Sequence, residues 1–124
     1  MDLHRIITKI IVPAYVELTN NLIVYKPWLG FKKRISTESL QTIQIETTDK
    51  GPLFEDFFMV LITNKSVIRI AQEIKGFDHL LSELQKLPGF DNEAVIKAST
   101  CVDNAVFNVW KKESLNKPIE ADPK

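Results

Sequence analysis

The sequence predicts an α+β fold, a bent antiparallel sheet or split β-barrel followed by two helices and a final short strand. Between residues 14 and 71, apolar residues alternate with polar ones or form short runs separated by turn residues, as in antiparallel strands. After Ala71 the apolar spacing lengthens to about 3.6 residues, the period of an α-helix. The 124 residues fit one domain over residues 1–112, with a polar tail over residues 113–124.

Strands are expected throughout the first two-thirds of the chain. Asn20 and Asn21 tolerate the positive φ angles of a tight turn, so the apolar runs on either side of them predict a hairpin. A strand is also assigned over residues 6–12, although the apolar spacing there suits a helix as well. Further strands are expected at Ala14–Leu18, Leu22–Lys26, Phe31–Ile35, Leu40–Thr48, Phe57–Thr63 and Val67–Ala71. The nearly continuous apolar run Phe57–Thr63 predicts a central strand covered on both faces.

Two helices and a last strand are expected in the remainder of the chain. An apolar stripe with helical spacing runs from Phe77 to Leu87 and ends before Pro88 and Gly89, which terminate helices. A shorter helix is expected over Asn92–Ser99 and a last strand over Val106–Trp110. The residues expected in the core are Ile23, Ile43, Ile45, Phe58, Val60, Leu61, Ile62, Ile68, Ile70, Phe77, Leu80, Leu81, Leu84, Val95, Phe107 and Trp110.

The triplet Gly-Phe-Asp occurs twice, and both copies are interpreted as helix starts. Asp91 is expected to be the N-cap of the second helix, whereas Gly76 is expected to be the N-cap of the first helix. Asp78 then becomes an acid in the first turn, near the positive end of the helix dipole. The carboxylates of Asp78 and Asp91 fall at opposite ends of the first helix, about 20 Å apart, which argues against a shared catalytic site.

Composition and charge narrow the classes of function. Lys+Arg and Asp+Glu both number 16, so the chain lacks the basic excess that is typical of nucleic-acid-binding proteins. A single cysteine, Cys101, cannot form an internal disulfide and indicates a reducing compartment. The longest apolar runs fall short of a signal sequence or a membrane span. We therefore expect a soluble cytoplasmic protein that does not bind nucleic acid.

The residue types needed for catalysis are too few and too scattered to define an active site. Cys101, His4 and His79 do not have the spacing of a zinc site, and Cys101 is interpreted as a small buried apolar residue. The four glycines do not form a phosphate-binding loop, and no serine lies in a G-x-S-x-G motif. We expect no catalytic residue, no metal and no cofactor.

The segment Lys26–Arg34, here called the basic-aromatic loop, carries the best candidate binding residues. The residues expected to contact a partner are Trp28, Phe31, Lys32, Lys33 and Arg34 of this loop, with Asp49, Glu55 and Asp56 as an acidic patch on a neighbouring hairpin loop. Such a loop can bind a phosphate, a lipid headgroup or an acidic protein. The alternative is that Trp28 and Phe31 close one end of the core while the cations are solvated.

The runs VYKPWLGFKKRISTESLQTIQI, VLITNKSVIRI and GFDHLLSELQKL resemble those of bacterial pleckstrin-homology-like domains. The C-terminal phrases LQKLPGFDNEAVIKAS and NAVFNVWKK resemble small bacterial proteins that accompany polymorphic or contact-dependent toxins as immunity proteins. The resemblance covers Ala14 to Lys112, but the second helix and last strand depart from a plain pleckstrin-homology topology.

The resemblance implies a non-catalytic protein-binding module that neutralises a cognate toxin by direct binding. It carries no catalytic residue over to this chain. The alternative implied by the pleckstrin-homology likeness is a lipid- or phosphate-binding module that uses the basic-aromatic loop. In the leading interpretation the partner is a protein and a membrane is not expected, while an edge strand leaves pairing with a second copy of the chain open.

Overall fold

Two antiparallel sheets and two α-helices make up the part of the chain that the computed structural model describes, residues 14–49 and 57–112. This arrangement confirms the predicted α+β class, and within these two ranges the strands do not close into a barrel. The predicted strand over residues 6–12 and the predicted tail over residues 113–124 lie outside the described residues.

The first sheet contains three strands in chain order: β1 (Tyr15–Thr19), β2 (Leu22–Lys26) and β3 (Lys33–Ser36). Asn20 and Asn21 have φ angles of 52° and 64°, so the predicted tight turn joins β1 to β2. β3 begins two residues later than the sequence predicted, because its pairing with β2 starts at Lys33 and leaves Phe31 in the preceding loop.

The second sheet contains four strands in the order β6-β5-β4-β7. The strands are β4 (Leu40–Thr47), β5 (Phe57–Thr63), β6 (Val67–Ala71) and β7 (Ala105–Lys111). A short 3-10 helix, Thr37–Ser39, links β3 of the first sheet to β4 of the second, and Ser36 caps it by accepting the Ser39 N–H at 3.2 Å. The bounds of β5 and β6 are those the sequence predicted, and β7 extends the predicted last strand by one residue at each end.

The two helices are α1 (Phe77–Leu84) and α2 (Asn92–Ser99). The Asp91 carboxylate accepts the Ala94 N–H at 3.0 Å, which confirms the predicted N-cap of α2. α1 ends at Leu84 rather than Leu87 because the chain tightens into a turn, in which the Leu87 N–H donates to the Leu84 carbonyl at 3.0 Å. Leu87 nevertheless packs against the core from this turn.

Gly76 joins the first sheet to α1, as the N-cap that the sequence predicted. The Val16 N–H of β1 donates to the Lys75 carbonyl at 2.8 Å, and this bond brings the chain against the edge of β1. Gly76 has a φ angle of 93°, and a Cβ atom added there would lie 1.8 Å from the Val16 carbonyl oxygen. Both the backbone conformation and the close approach therefore require glycine at this position.

The main core lies between the two sheets and the helices. Strand alternation directs Phe57, Met59 and Leu61 of β5 into this core, and Phe57 and Phe77 meet edge to face with ring centroids 6.3 Å apart. Of the predicted core residues, Ile62, Leu81, Val95, Phe107 and Trp110 are half-buried instead, on strands or helix faces at the margin of the core. β5 is buried on both faces, as predicted for a central strand.

Candidate contact surface

The basic-aromatic loop spans the end of β2, the connection over residues 27–32 and the start of β3. Pro27 restricts the backbone at its entry, and Gly30 turns the chain with a φ angle of 109°. The β2–β3 ladder ends where Tyr25 pairs with Lys33, so residues 27–32 project beyond the sheet.

Three large apolar side chains of this loop face solvent. Trp28 is 59% exposed, Leu29 is 77% exposed and Phe31 is 92% exposed. The alternative in which Trp28 and Phe31 close the end of the core is therefore wrong, because neither side chain is packed against it. Leu29 was not among the predicted contact residues, although its position between two predicted contact residues was a signal for it.

Two of the loop's cations bend back onto the protein. The Lys26 ammonium donates to the Pro27 carbonyl at 2.7 Å, and the Lys32 ammonium lies 5.9 Å from the centroid of the Tyr15 ring. These contacts hold positive charge at the base of the loop, beside the paired residues Tyr15 and Lys26. The surface thus combines an apolar tip with a basic base.

Lys33 and Arg34 lie on opposite faces of β3, so the structure divides the predicted contact set. Lys33 follows the loop directly and pairs with Tyr25, whereas Arg34 pairs with Val24 on the other face of the sheet. Arg34 lines a separate groove of about 420 Å³, here called the corner groove, with Ile35, Ser36, Ser39 and the turn over residues 63–66. No local pattern in the sequence indicated that the end of β3 and the turn over residues 63–66 would meet.

The predicted acidic patch is only partly within the described residues. Asp49 is exposed at the end of β4, and its N–H donates to the Asn104 side-chain oxygen at 3.2 Å, near the start of β7. Asp49 thus follows a strand of the second sheet, whereas the basic-aromatic loop belongs to the first sheet. Glu55 and Asp56 lie outside the described residues.

A second aromatic region lies on the outer face of the four-stranded sheet, opposite the main core. Phe58 and Val60 of β5 are buried there, on the face away from Met59. The Arg69 guanidinium carbon lies 3.7 Å from the Phe58 ring centroid, while the Arg69 Nε donates to Glu46 at 2.7 Å. A cation therefore covers this aromatic ring and is held in place by an ion pair.

Cys101 and His79 occupy ordinary structural positions. Cys101 is half-buried rather than fully buried, and its thiol lies 3.6 Å from the Thr47 hydroxyl, which donates more closely to the Asp103 carbonyl at 2.7 Å. His79 is exposed on the first turn of α1, beside a groove of about 510 Å³ between β1 and that helix. Across residues 14–49 and 57–112, no group of His, Cys, Asp and Glu is arranged to hold a metal ion.

The chain is thus an α+β protein of two antiparallel sheets with a projecting basic-aromatic loop. No protein-family model matches it, and no match was found among curated proteins or among solved structures. The likeness to pleckstrin-homology-like domains and to immunity proteins stays a prediction from the residues themselves. None of the helices in the described ranges is both long enough and apolar enough to cross a membrane.

Proposed function

We propose that the protein is a non-catalytic protein-binding module whose contact surface is the basic-aromatic loop. The observation that carries this proposal is the exposure of Trp28, Leu29 and Phe31 side by side on one projecting loop. Soluble proteins seldom leave large adjacent apolar side chains in water unless a partner covers them. Aromatic residues of this kind contribute most of the binding energy at protein interfaces, about 2 kcal/mol or more each.

The charge of the surface defines the chemistry of the partner. Lys26, Lys32 and Lys33 lie at the base of the loop, so the complementary surface is an apolar pocket with acidic residues at its rim. Charges at the rim increase the association rate and select the partner, while the buried tip provides affinity. The basic residues thus favour an acidic protein.

We further propose that the partner is a toxin and that the protein acts in the cytoplasm as an immunity protein, blocking the toxin by occupying it. This part rests on the resemblance of LPGFDNEAVIKAS and NAVFNVWKK to such proteins. Neutralisation by occupancy requires a surface for tight contact and no catalytic residue of its own. The exposed loop offers such a surface.

The product of the gene directly upstream is the natural probe, since toxins and their immunity proteins are expected side by side. The wild-type chain is expected to co-purify with that product, and the double variant Trp28→Ser/Phe31→Ser is expected to lose it. Val67→Thr is the matched control, because Val67 is as exposed as Trp28, at 59%, but lies on β6 of the other sheet. Equal recovery of the double variant and the wild type would contradict the proposal.

A lipid surface is the second candidate, because an apolar tip above a basic base also suits insertion between anionic headgroups. Sedimentation with phosphatidylcholine vesicles, with and without phosphatidylserine, tests this candidate at low and at physiological salt. Binding that requires phosphatidylserine and weakens with salt supports it, since the attraction is electrostatic. Binding that does not depend on the anionic lipid excludes it.

A further inference from the structure

The corner groove lies where the end of β3, the 3-10 helix and the turn between β5 and β6 meet. Two cations, Arg34 and Lys65, line it together with the polar side chains of Ser36, Ser39, Asn64 and Ser66. None of the described residues that line it is acidic. We infer that the corner groove binds a phosphate-type oxyanion, at a site separate from the exposed apolar tip of the basic-aromatic loop.

The two cations are available to such a ligand. Neither Arg34 nor Lys65 forms an ion pair with any residue in the described ranges, 14–49 and 57–112. Glu38, the acidic residue of the 3-10 helix, does not line the groove, and its carbonyl oxygen accepts from the Lys112 ammonium at 2.8 Å. Within the described residues, the groove therefore presents positive charge that no neighbouring carboxylate neutralises.

Both walls of the groove are fixed by their own hydrogen bonds. On one side, the Thr63 hydroxyl oxygen accepts the N–H groups of Lys65 and Ser66 at 3.1 and 3.0 Å. On the other, the Ser36 hydroxyl oxygen accepts the Ser39 N–H at 3.2 Å, which leaves the Ser36 hydroxyl hydrogen to donate. Turns that are ordered before binding lose little conformational entropy when a ligand arrives.

The donors in this groove suit a tetrahedral oxyanion. The Arg34 guanidinium can donate two parallel hydrogen bonds to a phosphate, the Lys65 ammonium adds a point charge, and the Ser36 hydroxyl and Asn64 amide supply neutral donors. At about 420 Å³, the groove is larger than a bare phosphate, so the phosphate can carry an organic group. The ligand class is a phosphomonoester, either soluble or as a lipid headgroup.

Titration with inorganic phosphate, followed by amide NMR at constant ionic strength, tests the inference. The amides of Ser36, Ser39 and residues 64–66 are expected to shift and to saturate. Arg34→Gln and Lys65→Gln are each expected to weaken binding about tenfold, because each removes a charged hydrogen bond. Lys97→Gln is the matched control, since Lys97 is an exposed cation in the last turn of α2, away from the groove lining, and is expected to leave binding unchanged.

Three results would overturn the inference: shifts that do not saturate, shifts that chloride reproduces at the same ionic strength, or equal weakening by Lys97→Gln. The amide spectrum also reports whether each variant is folded. Glycerol phosphate and phosphatidylcholine vesicles containing phosphatidic acid then separate the two sources of the phosphate. Binding to glycerol phosphate alone assigns a soluble ligand, whereas vesicle binding that Arg34→Gln abolishes assigns a headgroup.

Discussion

Phe31 and Phe58 both lie close to basic residues, but they differ in solvent exposure. Phe31, next to Lys32 in the basic-aromatic loop, is 92% exposed. Phe58, on the outer face of the four-stranded sheet, is 9% exposed, and the Arg69 side chain lies across its ring. The same pair of residue types is thus a covered structural contact in one region and an uncovered surface in the other.

Strand pairing accounts for the difference. β5 and β6 place Arg69 opposite Val60, so that Arg69 is diagonal to Phe58 and its long side chain reaches the ring. Glu46 pairs with Phe58 from the other neighbouring strand and fixes the guanidinium. Phe31 has no strand partner, and Lys32 turns instead toward Tyr15. An aromatic residue beside a cation is therefore covered where a ladder aligns the two.

The largest effect is expected from Gly76→Ala, which disrupts the joint between the sheet that carries the loop and α1. The added Cβ would collide with the Val16 carbonyl oxygen at a positive φ, so we expect a loss of more than about 4 kcal/mol in the free energy of unfolding. Gly89→Ala is the matched control, because Gly89 also has a positive φ but has open space around it. It is expected to cost about 1 kcal/mol, measured by urea denaturation.

Phe58→Ala and Phe31→Ala test whether the Phe58 ring is packed against the protein and the Phe31 ring is not. Removing the covered ring is expected to cost about 3 kcal/mol of unfolding free energy, whereas removing the exposed ring is expected to change it by less than about 0.5 kcal/mol. Chemical denaturation of both variants provides the measurement. Similar losses for the two variants would show that Phe31 is packed against the protein and would contradict the account.

Arg69→Ala measures how much the Arg69 side chain over the Phe58 ring contributes to the free energy of unfolding. We expect a loss of about 1 kcal/mol, because the stacked cation is partly exposed and its ion pair with Glu46 is screened by water. Glu46→Gln keeps the stacking and is expected to cost less than Arg69→Ala. If thermal denaturation gives the reverse order, the ion pair rather than the stacking holds the cover in place.

The smallest effect is expected for the ion pair between Glu83 of α1 and Lys86, two residues beyond the end of that helix, which serves as a baseline for surface charge. The hydrogen bond and charge of Lys86, 2.9 Å away, hold the pKa of the Glu83 carboxyl below its ordinary value of 4.5. Because the pKa of Glu83 is lower in the folded state, the pair stabilises the fold at pH values above the pKa that Glu83 has in the unfolded chain. This stabilisation is lost as the pH falls through the pKa of Glu83 in the folded state. Lys86→Ala is expected to raise the pKa of Glu83 in an NMR titration; an unchanged pKa would contradict this.

Local signals in the sequence were sufficient for much of the fold. The Asn20-Asn21 turn, the bounds of β5 and β6 and the Asp91 cap each depend on residues close together in the chain, where side-chain chemistry acts directly on the backbone. α1 was predicted too long, because its apolar stripe continues into a turn whose residues still face the core.

The two candidate binding surfaces could not be predicted in full from the sequence, because they depend on contacts between distant parts of the chain. Whether Trp28 and Phe31 face solvent depends on where the β2–β3 ladder ends, and periodicity in a short loop does not report that. Arg34 and Lys65 line one groove because the end of β3 and the turn between β5 and β6, which belong to different sheets, meet at one corner. β7 returns to β4 across 64 residues, as the Gln44–Asn108 hydrogen bond shows. Such pairings are not encoded in any local pattern.

Calorimetric titration of the upstream gene product measures whether the exposed loop binds a protein partner. Phe31→Ser is expected to raise the Kd roughly thirtyfold, the equivalent of about 2 kcal/mol, with an unchanged melting temperature. Val67→Thr is expected to bind like the wild type. Wild-type affinity in the Phe31→Ser variant, or no binding by the wild-type chain itself, would contradict the account.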